Sequence, residues 1–587
     1  MKELLVKLLN NALKNLEKIE NIDLAKIKVE IKKNKQKDHG DYSTNLAMII
    51  AKKLSKPPLE VAELLVKETI KDKSIQQIKI AEPGFINFFI QEDSYLEILK
   101  KINKEKENFG KIKPGSKEKI LIEYVSSNPT GPLHVGHGRG AAFGSVLSNI
   151  LRARGFCVDE EYYVNDRGRQ TEILALSVWV RYIQIFENQI PFPKGCYQGN
   201  YIYEIAKEVH DLYGEKYILK NNLLIELSQA LTDKNQEEDL DLLINLIRAK
   251  LKKKFLELSE FSLKFILEGI KEDLNCFGVK QNLWFKETSL FSKTRKDPSL
   301  MDKSMSKLEE GGFIYEKEGA SWFRSSDFKD DKDRVVRRGN SQTTYFASDI
   351  AYHLNKYQRG YKKIINIWGA DHHGYLPRVS AAIKALGEDV KKLDVVFIQF
   401  ANLLREGEKI SMSTRGGEFV TLKELMEEVT PEAARFFFIN RKGEQHLDFD
   451  LDLAKKQNQE NPLYYIQYAH ARICSLFQKL NVEKKSYKER IAIENLNNLN
   501  DGLEIEMMKI LSQYSEVIAK SAKNYEPHLI CYYLRELASS FHSYYNNQKI
   551  LVENPRELQP KLFMLFAIRQ VIFNGLTILG ISSPTSM

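Results

Sequence analysis

Two histidines, His134 and His137, stand three residues apart with Gly136 between them. Side chains three apart on a helical turn share a face. Paired imidazoles at a helix start can donate hydrogen bonds to a phosphate whose charge shifts during displacement. Gly136 removes the Cβ that would hold a flat purine ring away from the backbone. Taken alone, a His-Val-Gly-His tetrad serves equally well as an ordinary polar helix cap, so its surroundings must decide.

The elements needed to position it are present. Ile120-Leu121-Ile122 is an apolar run of buried-strand type, and a Ser/Asn/Pro/Gly loop from Ser126 to Pro132 follows it. Gly138, Gly140, Ala141, Ala142 and Gly144 then pack tightly, and Val146, Leu147 and Ile150 continue at helical spacing. Strand, glycine-bearing turn and helix is the unit that seats a nucleotide phosphate at a helix N-terminus. A second strand over Val158–Val164 ends in Asn165-Asp166-Arg167-Gly168, at the strand end where open α/β sheets bind ligands. Two more strands are predicted, over Ile364–Trp368 and Leu393–Gln399. The first runs into Gly369-Ala370-Asp371-His372-His373-Gly374. The second leads to residues 407–422, a Gly-flanked loop of hydroxyls and bases suited to follow a pyrophosphate leaving group. The fold class is α/β.

Composition bounds the rest. The chain of 587 residues is long enough for roughly three to five domains. A net charge of +9 is a modest excess that suits a polyanionic partner. Cys157, Cys196, Cys276, Cys474 and Cys531 are scattered without a CxxC pair, which argues against a zinc knuckle or disulfide framework and for a reducing cytoplasm. His372-His373 lacks a third clustered ligand, so no metal site is expected. Lys2, Lys7 and Lys14 break Met1–Leu16 as a secretory segment. Arg569, Gln570, Asn574 and Gly575 make Leu562–Ile581 a buried core helix rather than a membrane span.

Along the chain, residues 1–110 form a small α+β domain. Leu5, Leu9, Ala12, Leu13 and Leu16 give one helical face, Ile27–Ile31 and Phe85–Ile90 alternate as strands, and Ser43 or Thr44 caps a helix between them. The four lysines of Lys32–Lys37 are a solvated loop or a phosphate-backbone contact. Residues 107–116 read as a linker. Residues 171–330 read as a helical, Lys/Glu-rich insertion between two halves of the nucleotide fold. From 455 to 587 apolar residues recur at three and four, as in a helix bundle. Tyr464, Tyr465, Tyr468, His470 and Arg472 interleave there, as core packing or as a surface on which unpaired bases stack.

The stretch Ser126–Ala142, SSNPTGPLHVGHGRGAA, resembles the HIGH signature of class I aminoacyl-tRNA synthetases. Its form is most similar to that of arginyl-tRNA synthetases, and the resemblance covers nearly the whole chain. It implies a Rossmann-type catalytic domain at 111–454, interrupted by the helical segment at about 171–330. It also implies a tRNA-contacting α+β domain at 1–110 and an all-α anticodon-binding bundle at 455–587. The implied reaction is ATP-dependent ligation of L-arginine to tRNA(Arg) through an arginyl-adenylate, with Mg²⁺ accompanying the ATP and arginine activation awaiting bound tRNA. No zinc or prosthetic group is implied, and the expected setting is a cytoplasmic monomer with no membrane attachment.

Carried over by position, ATP contacts fall on Pro129, Thr130, Gly131, Pro132, Leu133, His134, Gly136, His137, Gly138, Gly369, Asp371, His372, Met412 and Ser413. His134 and His137 are the catalytic pair. The 407–422 loop resembles KMSKS but reads Ser411-Met412-Ser413-Thr414-Arg415, with neither lysine in place, so Lys409 and Arg415 are the candidate cations. Arginine contacts fall on Glu123, Ser127, Asn128, Tyr345, Asp349 and His372. Acids suit the planar guanidinium fork. Leaving them unpaired penalises small apolar amino acids, which fits the lack of a recognisable editing domain. The residues by themselves leave open a lysine-specific class I enzyme, a small-molecule adenylyltransferase and a non-enzymatic tRNA-binding homologue.

Overall fold

The computed structural model describes the chain except residues 25, 35, 114, 116–117, 187–189, 220–235, 295–296, 411–419 and 483–485. Its central sheet has five parallel strands in the order Leu393–Ile398, Lys363–Gly369, Lys119–Glu123, Cys157–Val164, Leu283–Lys286. From Lys119–Glu123 the chain winds outward on one side to Leu283–Lys286. It then returns to lay Lys363–Gly369 on the other side. The winding therefore reverses between Lys119–Glu123 and Lys363–Gly369, and a crevice opens beyond Glu123 and Gly369. Ile120, Leu121, Ile122, Ile364 and Ile365 are buried, as continuous apolar runs require when helices cover both faces.

The edge strand Leu283–Lys286 departs from the helical reading of 171–330. That region does hold the helices Arg169–Phe186, Asn200–Tyr213, Gln236–Leu251 and Lys253–Cys276. After the edge strand comes a three-stranded antiparallel sheet built from Ile314–Lys317, Ala320–Phe323 and Arg334–Arg337. Strands of four residues are too short to show a period of two beside long helical runs.

In the N-terminal region the helix Lys2–Glu20 buries the expected face, Leu5, Leu9, Ala12, Leu13 and Leu16. Phe85–Ile90 is a strand of a four-stranded sheet, paired with Tyr42–Thr44 and Ile75–Ala81. Ile27–Ile31 is not a strand: Val29 and Ile31 are buried, but the edge strand begins only at Lys32, with Lys32 and Lys33 exposed. The helix Leu46–Leu54 has Asn45 at its N-cap, and Thr44 Oγ1 accepts the Leu46 N–H at 3.2 Å. Ser43 instead donates to Asn34, so of the two expected caps only Thr44 serves the helix start.

The C-terminal bundle comprises Pro462–Val482, Gly502–Leu511, Tyr514–Asn524, His528–Asn547 and Pro555–Leu579. The last helix is long and apolar enough to cross a membrane by length and composition, yet Leu562, Phe563, Met564, Leu565, Ile568, Val571 and Ile572 are all buried in the protein. It packs on the helix Val135–Ala153, where Asn149 donates to Ile578 O at 3.0 Å.

A buried guanidinium locks this junction. Arg435 donates to Phe277 O at 2.9 Å, Leu579 O at 3.0 Å and Ser145 Oγ at 3.2 Å. Burial brings it down to about 10, so it stays charged at neutral pH. Arg435→Met strands two buried carbonyls, and we expect a loss of about 3 kcal/mol in urea unfolding.

Candidate active site

His134 is the N-cap of the helix Val135–Ala153, and the two imidazoles close a reciprocal cap. His134 Nδ1 accepts the Gly136 N–H at 3.1 Å, and His137 Nδ1 accepts the His134 N–H at 3.3 Å. With both Nδ1 atoms accepting, each neutral ring carries its proton on Nε2. The rings stack with centroids 3.7 Å apart, on one face as their spacing requires. Burial lowers both, and with His134 beside it His137 falls to about 3. The pair is therefore two neutral Nε2–H donors throughout the physiological range.

Gly136 and Gly369 meet across the crevice through Phe400. A Cβ on Gly136 would sit 2.8 Å from the His134 ring and 3.3 Å from Phe400. One on Gly369 would sit 2.4 Å from Asp371 Oδ1 and 3.7 Å from Phe400. Buried Arg139 holds the neighbouring carbonyl: it donates to Gln399 O at 2.7 Å, and also to Gln445 O and Lys442 O. Phe400 is thus a half-exposed ring fixed against both glycines. Phe400→Ala should raise the KM for ATP about tenfold, the scale of one base–aromatic stack, and leave the KM for arginine alone in pyrophosphate exchange.

The loop before the histidines is pinned from the helical region and from the second signature segment. Tyr201 donates to Thr130 O at 2.9 Å, and its hydroxyl is 3.0 Å from where a Gly131 Cβ would stand. Leu422 N donates to Leu133 O at 2.8 Å, and Val135 N to Val420 O at 3.1 Å. Pro132 and Leu133 therefore run beside the segment that follows 411–419. Gly138 faces this packing, since a Cβ there would meet Leu422 and Phe438 at 2.9 Å. Met412, Ser413 and Arg415 lie outside the described residues. Lys409 ends the short strand Glu408–Lys409 and is exposed. Exposed His372 faces Asp371 at 3.5 Å, and His373 stacks on Phe397 at 3.6 Å. Among the described residues no three His, Cys, Asp or Glu gather as a metal site.

A second cluster beside the crevice is built around acids. Glu123 ends the central strand; its Oε1 accepts Ser126 Oγ at 2.9 Å and its Oε2 pairs with the buried Lys356 ammonium. Lys356 also donates to Asn366 Oδ1 at 2.8 Å. Between Glu123 and the loop, Val125 (φ 69°) and Ser126 (φ 41°) adopt left-handed backbone, strained for a β-branched residue. This turn brings Ser126 Oγ under Tyr163 N at 3.0 Å as well as Glu123.

Asp349, on the helix Tyr345–Gln358, accepts a hydrogen bond from Tyr375. Burial, with Glu123 and Glu287 nearby, pushes it up to about 7. Glu287 accepts Ser348 Oγ at 2.8 Å and is also raised by burial. The helix Tyr345–Gln358 thus carries Asp349 and touches Glu287 through Ser348 and Glu123 through Lys356. Lys356 acts on Asp349 and Arg167 on Glu287 as the neighbouring cations.

Glu123 lies near enough to Asp349 for its charge to raise it. Tyr345 is exposed, its hydroxyl 3.4 Å from where a Gly168 Cβ would stand. Asn128 meets Asn165 at 3.0 Å. Ser127 Oγ is 2.8 Å from the Tyr162 hydroxyl, turned to the sheet. Glu287, Lys356, Tyr375 and Phe400 were missed. Lys356 was findable: Tyr345, Asp349, Tyr352 and Lys356 recur at helical spacing on one face.

Comparison with known proteins fits this geometry. Residues 98–448 match the class I (R) tRNA synthetase catalytic domain, 3–90 the arginyl tRNA synthetase N terminal domain and 466–587 the DALR anticodon binding domain. The arginine–tRNA ligase of Legionella pneumophila (strain Corby) is 47% identical over 594 residues, covering 100% of both chains. That of Coxiella burnetii (strain RSA 493 / Nine Mile phase I) is 45% identical, covering 100% of this chain and 99% of its own. The structure of Thermus thermophilus arginyl-tRNA synthetase aligns over 100% of both chains with a TM-score of 0.74 at 20% identity, a likeness of fold. On the match of its catalytic, N-terminal and bundle regions and on its identity to full-length relatives, the chain belongs to the arginyl-tRNA synthetase family of class I aminoacyl-tRNA synthetases.

Proposed function

We propose the following division of labour for the ATP-dependent ligation of L-arginine to tRNA(Arg). The observation that carries it is a set of acids gathered by the helix Tyr345–Gln358: its own Asp349, Glu287 held by Ser348, and Glu123, held by Lys356 at the strand end that leads into the His134–His137 pair. Asp349 and Glu287 take the guanidinium, Glu123 is held in place by Lys356, and Asn128, Ser127, Tyr345 and His372 orient the rest of the amino acid. The arginine carboxylate attacks the α-phosphate of ATP and pyrophosphate leaves. His134 and His137 hold the charge that builds on the phosphoryl oxygens through their Nε2–H groups. The terminal adenosine hydroxyl of the tRNA then takes the arginyl group and AMP is released.

ATP lies along Pro129–Leu133 with its adenine beside Gly136, Gly138, Gly369 and Phe400, and its ribose side by Asp371 and His372. Met412 and Ser413 approach it from the second loop, and Lys409 with Arg415 follows the leaving pyrophosphate. Mg²⁺ arrives with the ATP. In the bundle, Arg472 lies over the Tyr545 ring at 3.8 Å and, with Tyr468, lines a cleft of about 550 Å³ suited to unpaired bases. We read the enzyme as a monomer working in the cytoplasm.

Pyrophosphate exchange with arginine or lysine, with and without tRNA(Arg), tests this reading. Exchange is expected with arginine and tRNA together. A response to lysine and none to arginine overturns the substrate, and full-rate exchange without tRNA removes the tRNA requirement.

A further inference from the structure

A cleft of about 420 Å³ lies behind the first signature loop. It is walled by the helices Asn200–Tyr213 and Lys253–Cys276 on one side and Leu422–Val429 on the other, and shares only Pro132 with the residues assigned to ATP. Its floor is apolar: Phe265, Ile266, Ile270, Met426 and Pro431. Four carboxylates border it, Glu204, Glu272, Asp273 and Glu427, against one cation, Lys423. Among the described residues none of the four carboxylates makes a side-chain hydrogen bond or salt bridge. In a chain of net charge +9 this is a local reversal of sign over a greasy hollow of drug-sized volume.

We propose that the cleft binds an amphipathic organic cation, an aryl or alkyl body ending in a primary ammonium group. The body rests on Phe265, Ile270 and Met426, and the ammonium stands among Glu272, Asp273 and Glu427. Such a ligand bears on both signature segments at once. Pro132 leads into His134, and Leu422–Val429 follows 411–419. The two are tied by the Leu422 N to Leu133 O and Val135 N to Val420 O bonds. Burial raises Asp273 to about 6, against the pull of Lys423 and with Glu272 and Glu427 adding to the rise; Glu204 faces the same hollow. Binding should therefore weaken as pH falls from 7 to 5.

Dansylcadaverine, a fluorophore with a primary ammonium tail, tests this on the full chain, with dansylglycine as the anionic control. The expected result is a saturable fluorescence rise with dansylcadaverine alone, not displaced by ATP and arginine together. E272Q/D273N should weaken it about tenfold, since it removes two of the four carboxylates that face the ammonium. Met426→Trp, which fills the floor, should also weaken it while arginine exchange persists. Unchanged affinity in both variants overturns the proposal, and so does displacement by ATP and arginine, which puts the probe in the substrate crevice.

Discussion

Asp349→Asn should lower kcat/KM for arginine about 300-fold, because removing one partner of a buried charge pair costs roughly 3–5 kcal/mol. The amide keeps the shape and can still accept from Tyr375, so folding should survive. The loss should appear in arginine-dependent exchange with the KM for ATP little changed. A pH signature separates this from a general defect. Asp349 sits at about 7, because burial and its acidic neighbours favour the protonated form. A guanidinium needs the carboxylate. Arginine affinity should therefore fall as pH drops below 7, approaching tenfold per pH unit. Asp349→Asn should flatten that slope. Wild-type arginine affinity that stays level from pH 8 to 5.5 would contradict this assignment.

His137→Ala should cut kcat for adenylate formation by about 10² to 10³, the cost of losing one preorganised donor to a developing oxyanion. Because His137 is neutral down to about 3, its own titration should leave no inflection between pH 6 and 8. Single-turnover measurement of adenylate formation checks both points. An inflection near 6.5 that vanishes in His137→Ala would mean that a protonated imidazole does the work.

Much of this site was legible because its residues lie in short, contiguous segments. Strand, loop and helix from Ile120 to Ile150 follow one another in the chain, so local pattern sufficed. Glu287 was hidden for the opposite reason. It enters the pocket from beyond the edge strand Leu283–Lys286, four residues embedded in helical surroundings, and only parallel pairing with Cys157–Val164 brings it near Asp349. Phe400 matters through two glycines distant in sequence, Gly136 and Gly369. Glu123 was predicted as a guanidinium acceptor, but its ion pair with Lys356 depends on packing between a helix and a sheet that spacing alone does not reveal. Ile27–Ile31 shows the converse, an alternating pattern that buries Val29 and Ile31 without finding a strand to pair with.

The Arg435 guanidinium has a consequence for how the polypeptide is made. Its acceptors include Leu579 O, 144 residues further along. While translation proceeds, the nascent catalytic half can offer this guanidinium Phe277 O, Ser145 Oγ and water, but not yet Leu579 O. The closure of this junction therefore comes last, when the final bundle helix supplies Leu579 O to a guanidinium already held by Phe277 O and Ser145 Oγ.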